Sequence, residues 1–335
     1  MDIGRADEKP AGAHRLWVLS DGRAGHDAQA LGLAEALARR LPARIERLAL
    51  PLHRWAAALP SGVLLRLLRN GVPTPTEGAA SLAPPWPDLA IAAGRRTAPI
   101  LAFLRAQYGV PAVQILNPGL SAMHFDHLIA PSHDRMRAPN AIETVGAIGR
   151  LAPAGLAAEA DRWRARLTRW PPPRLAVLLG GPSRSARWSV ADETQLCQAL
   201  GQIETQSWSL LITPSRRTPP GLLRRLQVKL PESAFLWDGT GDNPYPAILG
   251  LADAVLVTQD SVNMACEAAS TGLPVHIFPV ARVATKIRAF HRTLQDHGAA
   301  RPFRGVLDSW DYTPLAEADR VAAFLDPLFE RGTHP

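Results

Sequence analysis

Short apolar runs, each ending in glycine or a polar residue, alternate with longer helical segments along the whole chain. Strands separated by helices must cross over, so neighbouring strands run parallel and the helices cover both faces of the sheet. Arg15–Asp21, Ala43–Leu50, Asp88–Gly94, Ala112–Asn117, His127–Ala130 and Ile142–Ile148 read as a first set of strands. Helices are predicted over Asp27–Arg40, over His53–Asn70 with an interruption at Pro60, and from Gly94 to about Tyr108. Val72–Pro87 is Pro-rich and reads as a loop. The second set of strands is Leu175–Gly181, Ser209–Pro214, Ala234–Trp237, Ala254–Thr258 and, as the last, Val275–Pro279. Its helices are Ala154–Thr168, Val190–Ile203, Pro219–Val228, Ser261–Thr271 and Ala284–Gly298, with Ala316–Glu330 as a helical tail.

The predicted class is α/β, with two doubly wound Rossmann-like domains facing across a cleft. At 335 residues the chain is long enough for two cores. The breaker Pro171-Pro172-Pro173 is the expected boundary. It leaves an N-terminal acceptor-side domain over 1–170, a nucleotide-binding domain over 171–305 and a tail over 306–335 that returns to the first domain.

Several classes are excluded. Hydrophobic residues make up 47% of the chain, which rules out a disordered one. No apolar run approaches the roughly 18 residues that span a bilayer. Met1–Gly12 is charged and does not read as a signal peptide. The two cysteines, Cys197 and Cys266, make neither a disulfide framework nor a cysteine zinc site, and they fit a reducing, cytoplasmic compartment. The net charge of +7 comes mostly from scattered arginines, with no basic arm and no zinc-finger or RNA-recognition signature. Nucleic acid is therefore not the expected partner. An anionic substrate or an anionic membrane surface accounts for the charge.

In doubly wound sheets ligands bind beyond the carboxyl ends of the strands, so the loops after each strand carry the candidates. The first is Ser20-Asp21-Gly22-Arg23-Ala24-Gly25-His26. Gly22 and Gly25 allow a sharp turn, the helix that follows favours an anion, His26 suits a base or a phosphate contact, and Asp21 is a further candidate base. The spacing is neither a Rossmann fingerprint nor a P-loop. A capping aspartate beside a solvated histidine is the plain alternative. The second is Pro131-Ser132-His133-Asp134, where His133 and Asp134 are candidate acid/base groups or helix-capping turn residues. As neighbours at a strand end they are expected to point apart and not to pair. The third is Gly180-Gly181-Pro182-Ser183, a close backbone approach with a hydroxyl, or only a tight turn.

The fourth candidate is Ser215-Arg216-Arg217-Thr218, which reads as a phosphate clamp or a solvated basic loop. The fifth is the most specific. A buried strand ends in Gln259-Asp260, and a helix opens at Ser261 and runs through Met264 to Glu267. Its first-turn N–H groups can hold a diphosphate. Glu267 lies seven residues after Asp260, two turns along the same face, where a carboxylate can bond both hydroxyls of a ribose. Asn243 and Tyr245 open another helix within reach of a sugar or base, and Lys286 can meet phosphates as a point charge.

SRRTPP at Ser215–Pro220, DNPY at Asp242–Tyr245, TQDSVNMACEAASTGLPV at Thr258–Val275, and Lys286 with Phe290 together resemble the bacterial branch of the mitochondrial-fission "elongated mitochondria" family. SDGRAGH, PSHD and LGGPS extend the likeness over about Leu16 to Leu315. The family is similar to GT-B glycosyltransferases, whose donor helix carries a comparable glutamate, and to UDP-N-acetylglucosamine 2-epimerases. The resemblance implies a GT-B fold with a nucleotide-sugar site in the C-terminal half. It leaves activity open, because the plant members are fission adaptors.

The leading expectation is a glycosyltransferase that uses a nucleotide-sugar as substrate and needs neither cofactor nor metal, since cationic side chains and a helix N-terminus can stabilise the leaving diphosphate. An epimerase would use the same site but wants carboxylates on both sides of the sugar ring, and the loops are poor in acids. A non-catalytic adaptor on the same fold is the third reading. Leu52–Asn70 sets Trp55, Leu59, Val63, Leu64, Leu67 and Leu68 beside His53, Arg54, Arg66 and Arg69. That composition suits a helix lying in lipid headgroups, and hence a lipid-linked acceptor and a peripheral position on the inner membrane face. The same leucines would equally pack on a sheet.

Overall fold

The structure, a computed structural model, describes residues 13–73, 76, 82–230 and 234–330. Met1–Gly12 and part of the Val72–Pro87 loop lie outside the described residues. The described chain divides into two compact units. One comprises 13–144, Ile148–Arg150 and 317–330; the other comprises Val145–Ala147 and Leu151–Ala316.

In the first unit the strands are β1 (His14–Ser20), β2 (Ala43–Ala49), β3 (Leu89–Ala93), β4 (Ala112–Ile115), β5 (His127–Pro131) and β6 (Ala141–Thr144). Its helices are α1 (Ala24–Arg40), α2 (Arg54–Ala58), α3 (Ser61–Arg69) and α4 (Ala98–Tyr108). All pairings are parallel, in the order β2-β1-β3-β4-β5-β6. Successive residues of β1 serve opposite faces: Leu16 and Val18 join the cluster under α1, while Trp17 and Leu19 join the one under α3 and α4. A strand buried on both faces has no polar side to show, which is why its sequence is a continuous apolar run.

The second unit contains α5 (Pro153–Arg164), β7 (Arg174–Leu179), β8 (Ala186–Arg187), α6 (Val190–Glu204), β9 (Ser209–Pro214), α7 (Pro220–Lys229), β10 (Ala234–Leu236) and α8 (Tyr245–Leu251). It continues with β11 (Ala254–Thr258), α9 (Val262–Ala269), β12 (Val275–Phe278), β13 (Arg282–Val283), α10 (Thr285–Asp296) and β14 (Ala300–Pro302). The parallel order is β10-β9-β7-β11-β12-β14, and β8 and β13 form a separate antiparallel ribbon. Leu175, Val177 and Leu179 of β7 face one cluster, Ala176 and Leu178 the other.

Val275–Pro279 is not the last strand. β14 pairs with β12 beyond it, and its sequence, Ala-Arg-Pro, carries no apolar run that could mark it. Pro60 divides Arg54–Arg69 into α2 and α3. The Pro171–Pro173 breaker would group α5 with the first domain, whereas α5 falls in the second unit. Gly250 of α8 comes so close to α5 that an added Cβ would stand 2.6 Å from the Leu156 carbonyl oxygen. The closing helices α11 (Glu317–Leu325) and α12 (Pro327–Glu330) fall in the first unit, where Val321, Ala322 and Leu325 are fully buried.

Candidate functional site

β7 is the central strand of the second sheet, with β9 on one side and β11 on the other, so the order of strands reverses there. Such a switch point opens a crevice beyond the strand ends. The loops after β7, β9 and β11 meet at Asp260, whose side chain has no exposed surface. Thr258 Oγ1 donates to Asp260 Oδ1 at 2.8 Å and accepts from Gly180 N at 2.8 Å. Gly181 N donates to Asp260 Oδ2 at 2.9 Å, and Arg217 Nη2 lies 2.9 Å from the same oxygen. Arg217 Nη1 donates to the Gly181 carbonyl. A Cβ on Gly180 would stand 2.2 Å from Asp260 Oδ2, and one on Gly181 2.0 Å from the Arg217 carbonyl oxygen. Both glycines are therefore required by this knot of loops. The Thr218 hydroxyl, 2.9 Å from the Leu179 carbonyl and 2.6 Å from that of Gly180, ties the β9 loop to β7 and accepts from Ser215 N.

Beside the knot is a cavity of about 350 Å³ lined by Ser183, Ser185, Arg217, Asp260, Ser261, Asn263 and Lys286. α9 opens into it. Its N-cap, Ser261, makes no side-chain capping bond, so the first-turn N–H groups keep their capacity to donate. Hydroxyls, an ammonium, a guanidinium and a helix N-terminus form an anion-binding set. Arg216 is exposed on the same loop but is not among the lining residues.

Further along α9, Tyr245 Oη donates to Glu267 Oε2 at 2.5 Å. Burial pushes the Tyr245 hydroxyl well above the usual tyrosine range, and the adjacent carboxylate pushes it further, so it stays a donor. Asn243 Oδ1 accepts from Tyr245 N at 3.1 Å and shapes the start of α8. Met264, half-buried, packs on the core under α9. In the sequence Tyr245 and Glu267 read as separate ligand contacts. Their mutual bond crosses 22 positions, outside any helical spacing that could have revealed it.

The profile of the family described as Mitochondrial fission ELM1 matches residues 24–327. The chain belongs to this family. It is 30% identical to the Mitochondrial fission protein ELM1 of Arabidopsis thaliana over 70% of this chain and 62% of the plant protein, so it spans less than two thirds of that relative. Among solved structures it is similar to the Methanocaldococcus jannaschii UDP-GlcNAc 2-epimerase in complex with UDP-GlcNAc and UDP, with a TM-score of 0.53 and 11% identity, covering 93% of this chain and 98% of that one. It is also similar to LpCGTa in complex with UDP, with a TM-score of 0.50 and 15% identity, covering 94% and 90%. At such identities the likeness concerns the fold, which is GT-B-like: α/β with two six-stranded parallel sheets.

In this ELM1-family chain the first sheet also has a switch point, at β1 between β2 and β3. Asp21, its side chain 1% exposed, lies there with Oδ2 3.1 Å from His26 Nδ1. Burial alone would raise the Asp21 carboxyl, but the bond to His26, the charges of His26 and Arg23 and the Arg23 N–H outweigh it and hold the group below its usual range. Gly22 turns the loop at φ +77°, and the Gly25 carbonyl accepts from Gln29 Nε2. The His26 ring lies flush against Gly94, where a Cβ would come within 2.4 Å of it. The expectation that His133 and Asp134 point apart is corrected. Ser132–Asp134 forms a 3₁₀ turn, and His133 Nε2 comes within 3.5 Å of Asp134 Oδ1, with both side chains under 7% exposed. Successive side chains of a 3₁₀ turn diverge by about 120°, less than the roughly 180° of an extended strand end, and that smaller divergence lets the two polar ends meet.

Among the described residues no helix is long and apolar enough to cross a membrane. No cluster of three His, Cys, Asp or Glu side chains stands ready for a metal among them.

Proposed function

We propose that the second unit binds a nucleoside-diphosphate sugar and that the protein transfers the sugar to an acceptor. The observation that carries this is the cavity at the start of α9, with Lys286 and Arg217 on its wall and Glu267 held by Tyr245 further along the same helix. In this reading Glu267 accepts from the ribose hydroxyls. Lys286, Arg217 and the α9 N–H groups take the charge that grows on the diphosphate as the sugar–oxygen bond breaks. The knot at Asp260 positions Arg217. Gly180, Gly181, Thr218 and Ser215, whose hydroxyl accepts from Arg217 N, contribute by closing that knot, and Ser183 and Ser261 supply hydroxyls near the phosphates. Asn243, Met264 and Arg216 flank the site.

His26 is the proposed base. With Nδ1–H donating to Asp21, Nε2 is free to take the acceptor's hydroxyl proton as the acceptor oxygen bonds to the sugar carbon. Asp21 fixes the tautomer and stabilises the imidazolium. His133 and Asp134 are more deeply buried and serve better as support for the strand-end loops than as a base. A lipid-linked acceptor, met at an anionic membrane surface, fits the charge of the chain.

Calorimetry with UDP, GDP and CDP and their sugars on the full chain tests the donor site, in buffer with and without EDTA. Saturable binding of one nucleotide class that persists in EDTA supports the reading. No binding of any leaves an adaptor on a GT-B-like fold. Product analysis on the bound sugar then separates transfer from epimerisation.

A further inference from the structure

Between Glu46 and Glu77 the sequence holds no acidic residue, while Arg54, Arg66 and Arg69 fall within that stretch. The stretch forms α2 and α3 of the first unit, and the structure divides its apolar residues. Leu64, Leu65 and Leu68 are buried in the core under α3 and α4, and Leu59 and Leu67 are half-buried. The leucine-rich face expected to meet lipid is thus mostly core, because a helix packed on a sheet must bury its apolar stripe. Trp55 and Val63 remain outside, 52% and 45% exposed.

The segment 119–124 runs along the outer flank of α3. A Cβ on Gly119 would stand 3.0 Å from Ser61 Oγ, and one on Gly62 would touch Leu120 at 4.0 Å. At the other end of the helix the Arg69 charge reaches His124. This places Met123, 69% exposed, beside the same flank. Arg54, Arg66 and Arg69 are exposed and make no ion pair among the described residues. No exposed side chain of α2 or α3 carries a hydrogen-bond acceptor.

We propose that this surface docks on an anionic membrane, with Trp55, Val63 and Met123 at headgroup depth and Arg54, Arg66 and Arg69 on lipid phosphates. The exposed side chains of α2 and α3 offer donors without acceptors, which complements a plane of phosphates. A tryptophan with one apolar body and one N–H suits the boundary between water and acyl chain.

The test is sedimentation of the full-length protein with vesicles of phosphatidylcholine alone and of phosphatidylcholine with phosphatidylglycerol, at low and high salt. Expected is binding to the anionic vesicles only, weakened by salt. Joint substitution Arg54→Glu, Arg66→Glu and Arg69→Glu lowers affinity by about 100-fold or more. Trp55→Ser lowers it by roughly tenfold. The triple change to lysine keeps binding, and melting curves show that all variants are folded. Failure to sediment at low salt overturns the proposal. So does a triple glutamate variant that binds like the parent, equal binding to both vesicle types, or an acidic protein that occupies this surface while lipid does not.

Discussion

Tyr245 and Glu267 share one hydrogen bond, and that bond changes what a substitution at the glutamate does. Glu267→Ala removes the acceptor of a buried hydroxyl, which costs about 1–3 kcal/mol of stability. Tyr245→Phe in the same chain removes the stranded donor and should recover most of that loss in a urea titration. Nucleotide affinity should stay about 10–150-fold below the parent in both the single and the double variant, as expected for lost bonds to a charged group. If affinity returns with stability, Glu267 is only structural. At Asp21 the sign of the pH dependence follows from its lowered carboxyl. The folded form holds its proton more weakly than the unfolded chain, so the stabilisation is full above the usual value of 3.8 and fades as pH falls through the lower folded value. Asp21→Asn should therefore be less stable than the parent at neutral pH, with the gap closing in acid. A gap that does not depend on pH would count against the ionic pairing with His26.

At the scale of elements, strands were legible because a parallel strand covered on both faces must be apolar throughout, as in β3 (Leu89–Ala93) and β11 (Ala254–Thr258). Three-residue β14 escaped for the opposite reason: an edge position needs no such run. The start of α6 shows a cap that sequence can announce. Ser189 accepts from Asp192 N, and Asp192 Oδ2 in turn accepts from Ser189 N at 2.6 Å. Ser189→Ala should cost about 1 kcal/mol by chemical denaturation. Gly181→Ala is more severe. Its methyl would meet the backbone of the Arg217 loop, and a shift there costs about 1–3 kcal/mol and displaces Arg217. Weakened phosphate binding together with a melting curve shifted down would show that the loop gives way; an unchanged affinity would separate the knot from the site.

Across the whole molecule, the first unit is not complete without the end of the chain. Val321, Ala322 and Leu325 fill the cluster under α1, and Arg39 and Arg40 reach Asp319 and Asp326. Ending the chain at Ala316 should expose that cluster, so hydrogen exchange in β1–β6 should accelerate while β7, β9 and β11 stay protected. Equal protection in both units would make the tail dispensable. What the sequence determined by itself was local and periodic: the alternation of strand and helix, the parallel sheets this entails, and the polar loops at the strand ends. Covalent order sets these directly, because each depends on neighbours within a turn or two. Only the tertiary structure decided which of those polar groups serve each other. Asp260, Gly181 and Arg217 come from three loops, Tyr245 meets Glu267 across two helices, and the leucines of α3 are claimed by a core. Such partnerships depend on distances through space between residues far apart along the chain, and no spacing in the sequence encodes them.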